Sequence, residues 1–138
     1  MENNAKGATL IKVSSIIMII LGVFSFAFAI LGLFGIIALD FLTFLLLIWT
    51  FIYPICLLAT GIMGIMYSKS TDEKNMKQCF ILGIILIIIM ILDYVIGYIL
   101  NGLYGVSIIS VIRFIFPILY LIGISKNKKS NINDNDIQ

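Results

Sequence analysis

The sequence predicts an all-α protein: a four-helix transmembrane bundle, arranged as two tandem helical hairpins with both termini cytoplasmic. Three observations carry that prediction. Hydrophobic residues make up 62% of the chain and charged residues 12%, with a mean hydropathy of +1.17, far from soluble composition. Eight of the nine basic residues fall into three clusters: Lys6 and Lys12; Lys69, Lys74 and Lys77; and Lys126, Lys128 and Lys129. Each apolar stretch between clusters has length for two crossings, at ~20 residues per crossing. The 138 residues leave room for one domain.

The first span is expected over residues 9–37. From Val13 to Met66 the only formal charge is Asp40. As one helix that run would be ~80 Å long, far more than a bilayer holds, so it must turn once, between Gly35 and Phe41. The second span then covers 41–67, with Asp40 as its cap. Ser70 and Glu73 stand in capping-box spacing, so the third span is expected over 71–100, its first turns in the cytoplasm. Asn101-Gly102 supplies its stop. The fourth covers 104–125. Residues 126–138 are rich in Asn and Asp with almost nothing to bury, and are expected to be a disordered cytoplasmic tail.

Orientation follows from the lysines. Both termini and the middle loop carry them, whereas the connections at Asp40 and Asn101–Val106 carry none, which places the termini inside. The expected location is therefore the plasma membrane, as a multi-pass protein. A cleavable leader competes at the amino terminus, with Ala27-Phe28-Ala29 as a small-x-small site. The apolar run continues past that site to Ala38, where a cleavage region would turn polar, so a retained span is the expectation.

The two halves look related. Phe51-Ile52-Tyr53-Pro54-Ile55 matches Phe114-Ile115-Phe116-Pro117-Ile118, and Ile20-Leu21-Gly22 matches Ile81-Leu82-Gly83. Spans 1 and 3 run the same way, so the repeats would be parallel. In this register Gly32 corresponds to Asp93 and Thr50 to Arg113.

Three groups of residues invite a role. Gly22, Ser25, Ala29 and Gly32 form a small-residue stripe on span 1, which reads as a helix-packing seam, since packing drives association in lipid. Pro54 and Pro117 lie inside spans 2 and 4; each frees a carbonyl four residues earlier and is expected to kink its helix. Asp93 and Arg113 are ionisable residues within the membrane, where each costs ~3 kcal/mol. Helical rise puts Asp93 ~22 Å in from the cytoplasmic side and Arg113 ~13 Å in from the other. They are thus expected to meet as an intramembrane ion pair fixing span 3 against span 4. The competing reading is a polar, wet site supported by Ser107, Ser110, Pro117 and Tyr120. Trp49, Tyr53, Tyr94, Tyr98 and Tyr104 fit an interfacial aromatic belt.

Other chemistry finds little support. There is no histidine, which all but excludes the usual metal sites. Cys56 and Cys79 fall at different depths and are not expected to bridge. No nucleophile–base constellation or phosphate loop appears, so neither catalysis nor a cofactor is expected. A net charge of +2 gives no reason to expect nucleic acid; the lysines contact lipid headgroups.

Gly61-Ile62-Met63-Gly64-Ile65, the loop Ser68-Lys69-Ser70-Thr71-Asp72-Glu73-Lys74, Cys79 and Leu82-Gly83 carry a resemblance. The layout resembles the small four-span membrane proteins of low-GC Gram-positive bacteria and, more distantly, the B-lymphocyte-antigen type of four-span protein. The latter implies cytoplasmic termini, oligomers and no enzymatic activity, although its long outer loop is missing here. Small multidrug exporters are of similar size but carry an acid in their first span, and this first span has none. The leading expectation is a structural or interaction protein, packing as a homo-oligomer or as an accessory subunit of a membrane protein partner. The alternative is a small transporter or channel with a polar site around Asp93 and Arg113.

Overall fold

The structure is a computed structural model that describes residues 7–34, 41–70, 72–101 and 112–135. Among the described residues it contains four helices: α1 (Ala8–Phe34), α2 (Phe41–Tyr67), α3 (Glu73–Asn101) and α4 (Ile115–Asn135). Each helix packs on its two neighbours around a ring, with α1 against α2 and α4, and α3 against α2 and α4. The most extensive interface is α1–α2. This is the four-helix bundle that the sequence predicts. Three helical stretches, Ala8–Phe34, Thr43–Tyr67 and Glu73–Ile99, are long and apolar enough to cross a membrane. Residues 104–111, the first part of the expected fourth span, lie outside the described residues, as does Asp40. The chain is a small helical membrane protein.

The inward positions explain why these segments associate. On α3 the buried residues are Met76, Cys79, Gly83, Leu86 and Met90, and on α4 Pro117, Tyr120, Gly123, Ile124 and Asn127. Steps of three and four place each set on one helix face. Large aliphatic residues such as Ile84, Ile88 and Ile91 face outward instead. An isoleucine-rich outer surface around a core that admits glycine, cysteine and asparagine suits a lipid solvent.

Glycines set how closely the helices approach. A Cβ at Gly61 would lie 2.9 Å from the Ser15 carbonyl oxygen, and one at Gly64 would collide with the Ser15 hydroxyl. At Gly7 it would collide with the Gly123 carbonyl, so α1 and α4 touch backbone to backbone. Tyr120 of α4 is wedged between Gly64 of α2 and Gly83 of α3, filling the slot that two missing side chains leave.

The tandem repeat is visible as one contact made twice. A Cβ at Gly22 would meet Leu58 Cγ at 2.8 Å, and one at Gly83 would meet Leu121 Cδ2 at 2.6 Å. Leu58 and Leu121 each stand four residues after the proline of their helix, Pro54 and Pro117. Equivalent residues therefore seal the α1–α2 and α3–α4 hairpins.

Two local expectations need correction. Ser70 does not close a capping box: its Oγ accepts a hydrogen bond from the Asp72 backbone N–H at 3.2 Å. The Asp72 carbonyl then accepts from Met76 N–H at 3.0 Å, so α3 starts at Glu73 rather than at 71. The second correction concerns residues 126–135 of the tail 126–138 expected to be disordered; residues 136–138 lie outside the described residues. The α4 helix continues to Asn135, because Asn127 is wholly buried and tied on two sides. Its Oδ1 accepts from the Gly7 backbone N–H at 2.7 Å, and its Nδ2 donates to the Ser68 carbonyl at 3.0 Å. One side chain thus joins the start of α1, the end of α2 and α4. It also satisfies an N–H that the first turn of a helix leaves orphaned.

Replacing Asn127 by Ala strands a buried donor and a buried acceptor, each worth about 1–3 kcal/mol. Thermal unfolding in detergent should show a loss of about 2–4 kcal/mol. A change within about 0.5 kcal/mol, typical of exposed surface positions, would show that no such clamp exists. Gly83→Ala should also destabilise, because its new methyl must displace Leu121 and the Tyr120 ring.

Candidate functional site

Away from the lysine-bearing end the packing loosens. On α1, Ala29 is the last buried residue, and among the described residues a Cβ at Gly32 would meet nothing within 4 Å. The α1–α2 hairpin is still held here, by an edge-on contact of Phe26 with Phe51 whose ring centroids are 5.6 Å apart. Between the helices lie two adjoining cavities of about 260 Å³ and about 470 Å³. Both are lined by Leu46, Thr50, Tyr53, Asp93 and Arg113.

Asp93 reaches the cavity from α3, eight residues before that helix ends at Asn101. Trp49 stands eight residues after the start of α2 at Phe41. At 1.5 Å per residue both lie ~12 Å from the same end of the bundle. Their equal depth lets Trp49 Nε1 donate to Asp93 Oδ1 at 3.2 Å. Thr50 has its hydroxyl committed to its own helix, donating to the Leu46 carbonyl at 2.9 Å. Tyr53 is buried one turn deeper.

Arg113 enters from the opposite side. It stands in helical conformation just before α4, separated from it by a turn at Phe114. Pro117 accounts for that interruption, since it has no N–H to give the Arg113 carbonyl. The ladder resumes with Ile118 N–H donating to the Phe114 carbonyl at 3.2 Å. Pro54 behaves differently: α2 runs through it as one helix.

Asp93 and Arg113 therefore share a cavity, as equal depth led one to expect, but they do not share a bond. Among the described residues no ion pair joins them, and the carboxylate is engaged by the indole instead. Both side chains are exposed to the opening. The sequence reading placed Trp49 and Tyr53 in an interfacial belt and so missed them as cavity residues. Counting depth from both helix ends would have paired Trp49 with Asp93.

The small-residue stripe divides between two tasks. Gly22 is buried against Leu58, whereas Ser25, the buried Ala29 and Gly32 line the larger cavity. Gly32, Thr50, Asp93 and Arg113, the four positions equivalent in the repeat register, surround that cavity together. It therefore lies between the two repeats, with both charges contributed by the second. Ser107, Ser110 and Tyr104 lie outside the described residues, while Tyr120 belongs to the core at the other end. Cys56 and Cys79 are both free, and Cys79 Sγ donates to the Met63 carbonyl at 3.8 Å. Among the described residues there is no cluster of three or more potential metal ligands.

Comparison with protein families, with curated proteins and with solved structures found no match to this chain.

Proposed function

We propose that this chain is a non-enzymatic plasma-membrane protein that binds, and passes or senses, a small zwitterionic solute between its two repeats. The observation that carries the reading is the pair of opposite charges lining one cavity without bonding to each other. A cation alone would leave Arg113 uncompensated and an anion alone would leave Asp93 so; a solute bearing both signs satisfies each. The larger volume, about 470 Å³, falls in the range of small-molecule sites. Repeat interfaces near the midplane are where many small transporters hold their substrate. The lysine clusters support a cytoplasmic position for both termini, so the cavity would open toward the outer side.

A packing role reads the same open space over Gly32 differently, as room into which a helix of a second copy or another membrane protein settles. Gly32→Leu separates the two readings. Under solute binding it fills the cavity and abolishes the ligand response with the oligomer unchanged; under assembly it alters crosslinked species instead.

Trp49 is the only tryptophan and bonds to Asp93, so its emission reports directly on the site. Titration with a panel of amino acids and betaines should give a saturable change for at least one zwitterion. Asp93→Asn keeps an acceptor for the indole, so the unliganded emission and the melting temperature should hold. Affinity should fall about 10- to 100-fold in Asp93→Asn and again in Arg113→Gln, as for loss of a charged hydrogen bond. No saturable response across the panel, or one indifferent to both substitutions, would overturn the proposal.

A further inference from the structure

The lysine-bearing end holds a further cavity, about 240 Å³ in volume, in the groove between α3 and α4. It is lined by Met76, Lys77 and Phe80 from α3 and by Ile124, Ser125 and Lys128 from α4. The order along each helix gives the groove a polarity. Phe80 lies about one turn deeper than Lys77, and Ile124 one turn deeper than Lys128, so the floor is apolar and the rim cationic. Neither lysine has an ion-pair partner among the described residues, although Glu73 precedes Lys77 by one helical turn. Two ammonium groups from two helices thus flank one opening at the level where the apolar helix gives way to charge.

We infer that this groove is a binding site for the phosphate headgroup of an anionic phospholipid. The headgroup would sit between Lys77 and Lys128 with Ser125 as a hydroxyl donor, and the acyl chains would descend past Phe80, which is exposed. Charge complementarity favours a phosphate, and basic pockets between transmembrane helices on the cytoplasmic side are suited to such headgroups. The volume decides how much of the lipid enters. At about 240 Å³ it is smaller than the usual range for drug-sized ligands, so it holds the headgroup and leaves the tails in the bilayer. The site also bridges α3 to α4 beside the Asn127 clamp, and an occupied groove would stabilise that end.

Native mass spectrometry of the full chain, released from micelles containing phosphatidylglycerol or phosphatidylcholine, tests this directly. The wild type should retain one phosphatidylglycerol under activation that strips phosphatidylcholine. In Lys77→Gln/Lys128→Gln its affinity should fall on the order of thirtyfold, the combined effect of two headgroup-contacting lysines. Lys12→Gln, which removes a lysine of α1 outside the groove, should leave retention unchanged. Both altered lysines are exposed, and melting temperature without lipid confirms that the variants fold. Equal loss in Lys12→Gln would mean diffuse charge attraction rather than a site. Full protection of the melting temperature by inorganic phosphate alone would mean a free-anion site. Either result overturns the inference, as does equal retention of the two lipids.

Discussion

Helices in lipid gain nothing from hiding apolar surface, so how closely they approach is set by what stands between their backbones. In this chain glycine decides that distance, at one end of the bundle and not at the other. Gly7 and Gly123 let α1 and α4 touch; Gly61 and Gly64 let α2 close on Ser15; Gly64 and Gly83 together admit the Tyr120 ring. Asn127 then spans the same end and supplies the buried groups of Gly7 and Ser68 with partners. Everything beyond that end follows from having four helices joined tightly at one level.

The open half is a consequence of the closed one. Past Gly22 and Ala29, α1 has no further close partner at Gly32 among the described residues, and the space between the helices becomes the cavity that Asp93 and Arg113 line. A carboxylate at that depth is costly unless it is hydrogen-bonded. Trp49 meets part of that cost with one donor, leaving the remaining acceptor capacity of Asp93 directed into the opening. The repeat register describes the geometry further, since Gly32, Thr50, Asp93 and Arg113 all line the cavity. The first repeat offers only Gly32 and Thr50 there, so the charge is one-sided and the room is provided by the uncharged half.

Much of this was legible in the sequence, for reasons that differ by element. The helices follow from apolar runs whose length is fixed by the bilayer, and α2 runs over 41–67 as expected. The repeat could be found because the two prolines are sparse and distinctive in so isoleucine-rich a chain. The equal depth of Asp93 and Arg113 followed from helical rise alone. What sequence could not give was lateral detail. Rise fixes how deep Asp93 sits but not which neighbour its oxygens meet, and the indole of Trp49 was nearer. Asn127 was read as part of a polar tail because composition reports solubility, whereas its burial depends on Gly7, 120 residues away in the chain. The glycines of α2 were noticed only as part of a resemblance, since a missing side chain gives no signal until its neighbour is known.

The account rests on Asp93 and Arg113 facing one cavity without bonding each other, and a thermal-stability cycle in detergent tests that most directly. It needs the wild type, Asp93→Asn, Arg113→Gln and the double variant. Charges held apart should give additive effects, with a coupling below about 0.5 kcal/mol. A coupling of about 1–3 kcal/mol, with the double variant recovering what each single change loses, would show a bonded pair and contradict the account.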